Sequence, residues 1–178
     1  MFKCEIKQLQ TTNNTISNGG IKVRITKYTT IINKESKLTE LLKEKGLNYK
    51  TNNTSLTNPR DIAKMMNDVF QLNKMAEEYV YMIAFDTKNK PIGVFEVSHG
   101  TINTSILRPR EVFLKALLVG AVNIVLVHNH PSGDVVPSRE DIHATKRIEE
   151  SGKLIGIGLL DHIIIGDDYL SFREENYF

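Results

Sequence analysis

Three side chains within one short stretch are of the types that hold a metal ion. Residues 127–141 read Val-His-Asn-His-Pro-Ser-Gly-Asp-Val-Val-Pro-Ser-Arg-Glu-Asp. His128 and His130 stand two positions apart, and on a strand residues i and i+2 leave the same face. Both imidazoles can therefore aim at one point. The loop that follows is rich in Pro and Gly, and if it turns back it brings the Asp141 carboxylate to that point. Two imidazoles and one carboxylate suit a divalent ion such as zinc, with a fourth position left to water.

Hydrolytic chemistry at such a centre also needs a base beside the water and a donor for a developing oxyanion. Glu96 is the expected base, at the end of a strand able to pair beside the His128 strand. Ser138, three residues before Asp141, can offer its hydroxyl to the oxyanion. The same Ser-x-x-Asp reads as a helix cap with an acidic first turn, and the two readings are compatible. Asp161-His162 has two readings. It either orients a ligand through a hydrogen bond from behind or forms a satisfied pair at a strand bend. His143 lies two residues past Asp141 inside the expected helix and so points elsewhere, and His99 reads as a solvated loop residue.

The elements that must position these groups follow from periodicity and punctuation. Residues 2–6 and 21–25 alternate apolar and charged, as strands do, and a polar stretch ending Asn-Gly-Gly between them suggests a hairpin. Ser36 is expected to cap a short helix carrying Leu38, Leu41 and Leu42, with Gly46 past its end. Residues 48–58, rich in Thr and Asn, read as a linker. Asn58-Pro59 then opens a helix with Ile62, Met65, Met66, Val69 and Phe70 on one face. Residues 79–85 and 92–97 read as a hairpin. Pro109 opens a helix burying Val112, Phe113, Ala116, Leu117 and Leu118. Residues 121–127 form a short apolar run feeding into His128. Ser138 starts a helix stopped by Gly152, and strands follow at 154–165 and 169–172. This order predicts an α/β fold, a mixed sheet flanked by helices, with a small N-terminal αβ appendage.

The 178 residues, 40% hydrophobic and 25% charged, are ordinary for one globular domain plus an appendage. A single cysteine, Cys4, excludes an intrachain disulfide and a cysteine-based zinc site. The chain shows no apolar signal core and no run of membrane-spanning length, so a cytoplasmic protein without a membrane partner is expected. Net charge is only +2, but residues 1–60 hold 11 Lys or Arg against 4 Asp or Glu, and the remainder is acidic. That basic front is either a solvated surface or an attraction for nucleic acid.

His128-x-His130-Pro131, six residues, then Ser138-x-x-Asp141, with Glu96 upstream, resembles the JAMM metalloprotease motif, also called JAB or MPN-plus. Three further stretches narrow the resemblance to the bacterial RadC family: Glu96-Val97-Ser98-x-Gly100-Thr101, Pro109-Arg110-Glu111, and Asp161-His162 with Ile163-Ile164-Ile165-Gly166. It covers about residues 59–178. The resemblance implies a cytidine-deaminase-like αβα fold and one zinc ion held by His128, His130 and Asp141. It also implies Glu96 as general acid/base and Ser138 as oxyanion donor. Relatives in the wider superfamily cleave isopeptide bonds, so the implied activity is that of a zinc metallopeptidase acting on a peptide or isopeptide. RadC proteins also carry a DNA-repair label. Residues 1–50 lack the helix-hairpin-helix-like part of full-length RadC and are closer to the short RadC-like proteins of phages and mobile elements. The competing expectation is therefore a DNA-repair-associated or mobile-element accessory protein that uses the metal fold as a module. Nucleoside deamination shares the implied fold, but it needs His-x-Glu with Pro-Cys-x-x-Cys, and Cys4 is alone. The sequence carries no signal for oligomeric state.

Overall fold

The apolar run that leads into His128 lies in the middle of a sheet. This strand, β5 (Asn123–Asn129), sends Ile124 and Leu126 to one side and Val125 and Val127 to the other, all four fully buried. A strand apolar on both faces needs cover on both, and helices supply it. The structure is a computed structural model that describes residues 21–51, 56–100 and 107–178. Among these residues seven strands form one mixed sheet: β1 (Ile21–Ile32), β2 (Thr39–Thr51), β3 (Glu78–Phe85), β4 (Pro91–Gly100), β5, β6 (Gly158–Ile165) and β7 (Tyr169–Ser171), in the order β2-β1-β4-β3-β5-β6-β7. Two junctions are parallel, β1 with β4 and β5 with β6, and the other four are antiparallel.

Three helices complete an αβα arrangement among the described residues. Helix α1 (Pro59–Phe70) starts as expected, with Asn58 Oδ1 accepting from the Arg60 and Asp61 amides. Its Ile62, Met65 and Met66 pack on Tyr81, Ile83, Val125, Val127 and Ile163, so the methionine stripe is core. Helices α2 (Pro109–Leu118) and α3 (Arg139–Ile155) cover the other face. Val112, Phe113, Ala116 and Ile148 meet Val80, Met82, Ala84, Ile124 and Leu126 there. No helix among the described residues is long and apolar enough to cross a membrane.

Four sequence expectations are corrected. The helix expected after Ser36 is strand β2, which pairs with β1 along its whole length from Ile21↔Thr51 to Ile32↔Thr39. Leu38, Leu41 and Leu42 matched helical spacing, but the long partner strand decides in favour of the ladder. The expected linker begins inside this strand, since residues 48–51 belong to β2, and Leu56 is fully buried. Leu117 and Leu118 are exposed at the end of α2, and α3 passes through Gly152 to reach Ile155. The expected strand at residues 2–6, the turn at 11–20, Cys4 and Thr101 lie outside the described residues.

The loop after His130 is clasped to the β6–β7 turn. The His130 amide donates to the Ile165 carbonyl (2.8 Å), and the Asp167 amide donates to the Gly133 carbonyl (2.9 Å). Gly133 has φ 85°, in the region open to glycine. A Cβ on Gly166 would run into the Gly133 carbonyl and press on Val135. Gly166→Ala should therefore cost about 1–3 kcal/mol in a denaturant titration. A change below about 0.5 kcal/mol would mean the clasp is loose.

Candidate metal centre

His128 and His130 both leave the α3 face of the sheet at the end of β5. There their Nε2 atoms come within 3.0 Å of each other. Ser138 caps α3, and the helix start carries Asp141 in its first turn. The Asp141 carboxylate stands 3.4 Å (Oδ1) from His128 Nε2 and 3.6 Å (Oδ2) from His130 Nε2. These three residues form a group able to hold a metal ion.

The proton positions support that fit. His130 Nδ1 faces the Asp134 carbonyl at 2.7 Å, and a carbonyl only accepts, so Nδ1 carries a proton and in the neutral ring Nε2 is bare. That lone pair points at a second imidazole nitrogen and a carboxylate. Groups so arranged repel unless a cation or a proton lies among them.

Ser138 holds the carboxylate rather than facing away from it. Its amide (2.8 Å) and its hydroxyl (2.6 Å) both donate to Asp141 Oδ2, and its Oγ accepts from the Asp141 amide (3.1 Å). The capping box and the site are thus one structure. Of the two readings of Asp161-His162, each residue takes one. His162 Nε2 lies 2.8 Å from His128 Nδ1, behind the ligand. Asp161 is structural, accepting from Ser171 Oγ (2.6 Å) and from the His162 and Arg173 amides. His143 is exposed, as expected. His99 is not a free loop residue, since it stacks on Tyr79 and bonds Glu96.

Glu96 is not brought to this cluster. Its strand β4 is separated from β5 by β3, and Glu96 pairs with Tyr81, which pairs with Val127. Paired residues share a face, so Glu96 lies on the α1 side, opposite His128. Its carboxylate meets His99 Nδ1 (2.8 Å) and Lys27 Nζ (3.7 Å). A residue that sequence reasoning missed does face the site. Val80 pairs with His128 in antiparallel register, so two residues earlier Glu78 comes opposite His130 on the same face. Asn129, between the two histidines, points the other way and grips this approach. Its Oδ1 accepts from the Tyr79 amide (2.8 Å), and its Nδ2 donates to the Glu77 carbonyl (3.0 Å). The only sequence signal for Glu78 was its place at the start of a strand that pairs with β5.

A family model described as "RadC-like JAB domain" matches residues 56–177. A UPF0758 protein of Clostridium tetani is 46% identical over 125 residues, covering 70% of this chain and 54% of that protein. Another from Caldanaerobacter subterraneus subsp. tengcongensis is 41% identical over 140 residues, covering 78% and 59%. A third, from Clostridium acetobutylicum, is 48% identical over 121 residues, covering 67% and 52%. The chain thus spans little more than half the length of these curated relatives.

Electrostatically the two histidines of the group differ. Burial pushes His128 down to about 4, so it is neutral at neutral pH, as a ligand must be. His130, only half buried, is raised, chiefly by the Asp141 carboxylate. Burial pushes Asp141 upward, but His130, His128 and Ser138 outweigh it and hold the carboxyl well below the usual range. Burial also raises the Glu78 carboxyl, with Asp141 adding to the rise and His130 opposing it. His162 is driven below its ordinary value by burial and then by His128. Between about pH 6.5 and 4 the unfolded chain therefore binds more protons at His128 and His162 than the folded one, and these two rings make stability rise with pH across that window. His130 works in the opposite sense above about 6.5. For the metal-free protein, denaturant titrations at stepped pH should show stability falling on acidification below about 6.5, by at most ~1.4 kcal/mol per pH unit per histidine. Toward the acid end of that window the raised Glu78 and Asp161 carboxyls oppose the trend, so a flat profile just below about 6.5 is the result that would contradict the burial of these rings.

Proposed function

The chain belongs to the RadC-like JAB domain family, and from that premise we propose that it is a zinc-dependent hydrolase of peptide or isopeptide amide bonds. The observation that carries the reading is the convergence of His128 Nε2, His130 Nε2 and the Asp141 carboxylate on one point, with Glu78 entering from the neighbouring strand on the same face. When bound, zinc supplies Lewis acidity, which polarises a carbonyl and brings the pKa of water to about 7. Glu78 is the residue placed to act as base. It accepts the proton of the attacking water and returns it to the departing nitrogen as the C–N bond breaks. The raised Glu78 carboxyl suits a group that must both take and give a proton. Ser138 holds Asp141 at rest, and turning its hydroxyl off Oδ2 would offer a donor to the developing oxyanion. Glu96 is assigned no proton transfer, because its side chain is on the far face.

Metal analysis and a peptide-library cleavage screen test this. The full chain should carry about one zinc, lost in His128→Ala or His130→Ala. Glu78→Gln should lower cleavage by about 100-fold or more, while Glu96→Gln stays within a few-fold of the parent. A chain that binds no zinc at neutral pH, or cleavage lost in Glu96→Gln and kept in Glu78→Gln, would overturn the reading.

A second reading attaches to the β1–β2 hairpin, a two-stranded ribbon. Residues 21–51 hold 8 Lys or Arg against 3 Glu, which favours an anionic partner such as duplex DNA. Binding followed by fluorescence anisotropy should weaken steeply with salt. Replacing Lys43, Lys45 and Lys50 by Ala should reduce the salt slope by up to about 3. An unchanged slope would remove the hairpin as the reason for binding.

A further inference from the structure

Two buried residues outside the donor set join two of its members. His128 Nδ1 lies 2.8 Å from His162 Nε2. His162 Nδ1 lies 2.6 Å from Thr145 Oγ1, and Thr145 Oγ1 lies 2.6 Å from the main-chain carbonyl of Asp141. His162 is 2% exposed and Thr145 1%, so solvent offers neither an alternative partner. Phe172 stacks on the His162 ring at 4.7 Å and fixes its plane.

The protons in this chain have one consistent arrangement. A carbonyl cannot donate, so the Thr145 hydroxyl gives its single proton to the Asp141 carbonyl, a bond to position i−4 common for threonine in helices. Thr145 Oγ1 can then only accept from His162, whose proton is therefore on Nδ1. His162 Nε2 is left bare and accepts from His128 Nδ1. His128 Nε2 is bare in turn. The reverse arrangement would leave two oxygens 2.6 Å apart with no proton between them and would place a proton on His128 Nε2, where a ligand lone pair is needed.

We propose that Thr145 and His162 are positioning residues that hold His128 in its Nδ1–H tautomer, so that Nε2 enters the metal group unprotonated. This rests on the reading of His128, His130 and Asp141 as a metal site. The three bonds point the same way, and each polarises the next. They also tie the first turn of α3, which carries the carboxylate ligand, to the strand that carries the imidazole ligand. His130 reaches the same tautomer by a separate route, through the Asp134 carbonyl.

The test uses the metal-free full chain labelled with 15N. Long-range imidazole correlation spectra distinguish the two neutral tautomers, and His128 and His162 should both appear as Nδ1–H. Thr145→Val removes the hydroxyl at nearly constant volume. It should shift the His128 signature away from Nδ1–H and weaken zinc binding, read by competition with a chromophoric chelator, by about 10–100-fold. Thr145→Ser keeps the hydroxyl and should restore both. A proton on His128 Nε2 in the parent overturns the proposal without any variant, and so does a folded Thr145→Val chain with unchanged tautomer and zinc affinity. If Thr145→Val does not fold, the parent spectrum and Thr145→Ser still decide. Parent tautomers as expected in a chain that binds no zinc would support the proton arrangement and overturn the metal reading instead.

Discussion

Two imidazole lone pairs and a carboxylate cannot share a space a few ångströms across without positive charge among them, and the surrounding structure holds them in that conflict. His128 and His130 meet at 3.0 Å because one strand end delivers both to one face. Asp141 joins them because a helix starts beside it, with Ser138 holding the same carboxylate oxygen by two bonds. Each group would be easier to accommodate alone: a buried neutral imidazole costs little, and a carboxylate at a helix N-terminus is favourable. Brought together they form a set that a divalent cation relieves and that a proton relieves less completely. In the metal-free protein the raised His130 shows the proton competing for that place.

Much of this was legible in the sequence because it is local. His-x-His on a strand and Ser-x-x-Asp at a helix start are each fixed by the periodicity of one element. The helices starting at Asn58-Pro59, near Pro109 and at Ser138, and the buried β5 strand, were readable for the same reason. What was not legible depends on pairing between distant segments. Leu38, Leu41 and Leu42 fit helical spacing, but β1 pairs with twelve residues of β2 on either side of one irregularity, and the strand wins. Glu96 was expected beside the ligand strand, yet β3 intervenes. Which face Glu96 takes also depends on an irregularity in register between Val80 and Tyr81. One extra residue in a strand exchanges inside for outside, and no local pattern announced it.

The two acidic residues also show how the sheet separates environments only a few residues apart. Glu78 opens β3 on the face of the metal group, and burial raises its carboxyl. Glu96 lies against His99 and Lys27, near Tyr79 and Tyr81, where its charge is matched by neighbouring donors. Glu78 is half-buried beside the Asp141 carboxylate, and both burial and that neighbour disfavour its charged form. Position on a face, rather than residue type, separates the two roles.

Asn129 makes the strand end a shared property of both sides of the sheet. Its neighbours in the chain face the metal group, while its own amide locks the backbone on either side of Glu78. Three consecutive residues therefore carry two obligations that cannot be inherited separately. A lineage could exchange the asparagine and keep every ligand, yet lose the alignment of a carboxylate that the asparagine never touches through its side chain. A single-codon insertion here would do more, turning the imidazoles toward α1 and the amide toward the metal group. The hairpin turn between β3 and β4 carries none of these residues, and its tie to β5 is at the end away from the histidines, where Asn123 Nδ2 donates to Asn89 Oδ1 (2.9 Å).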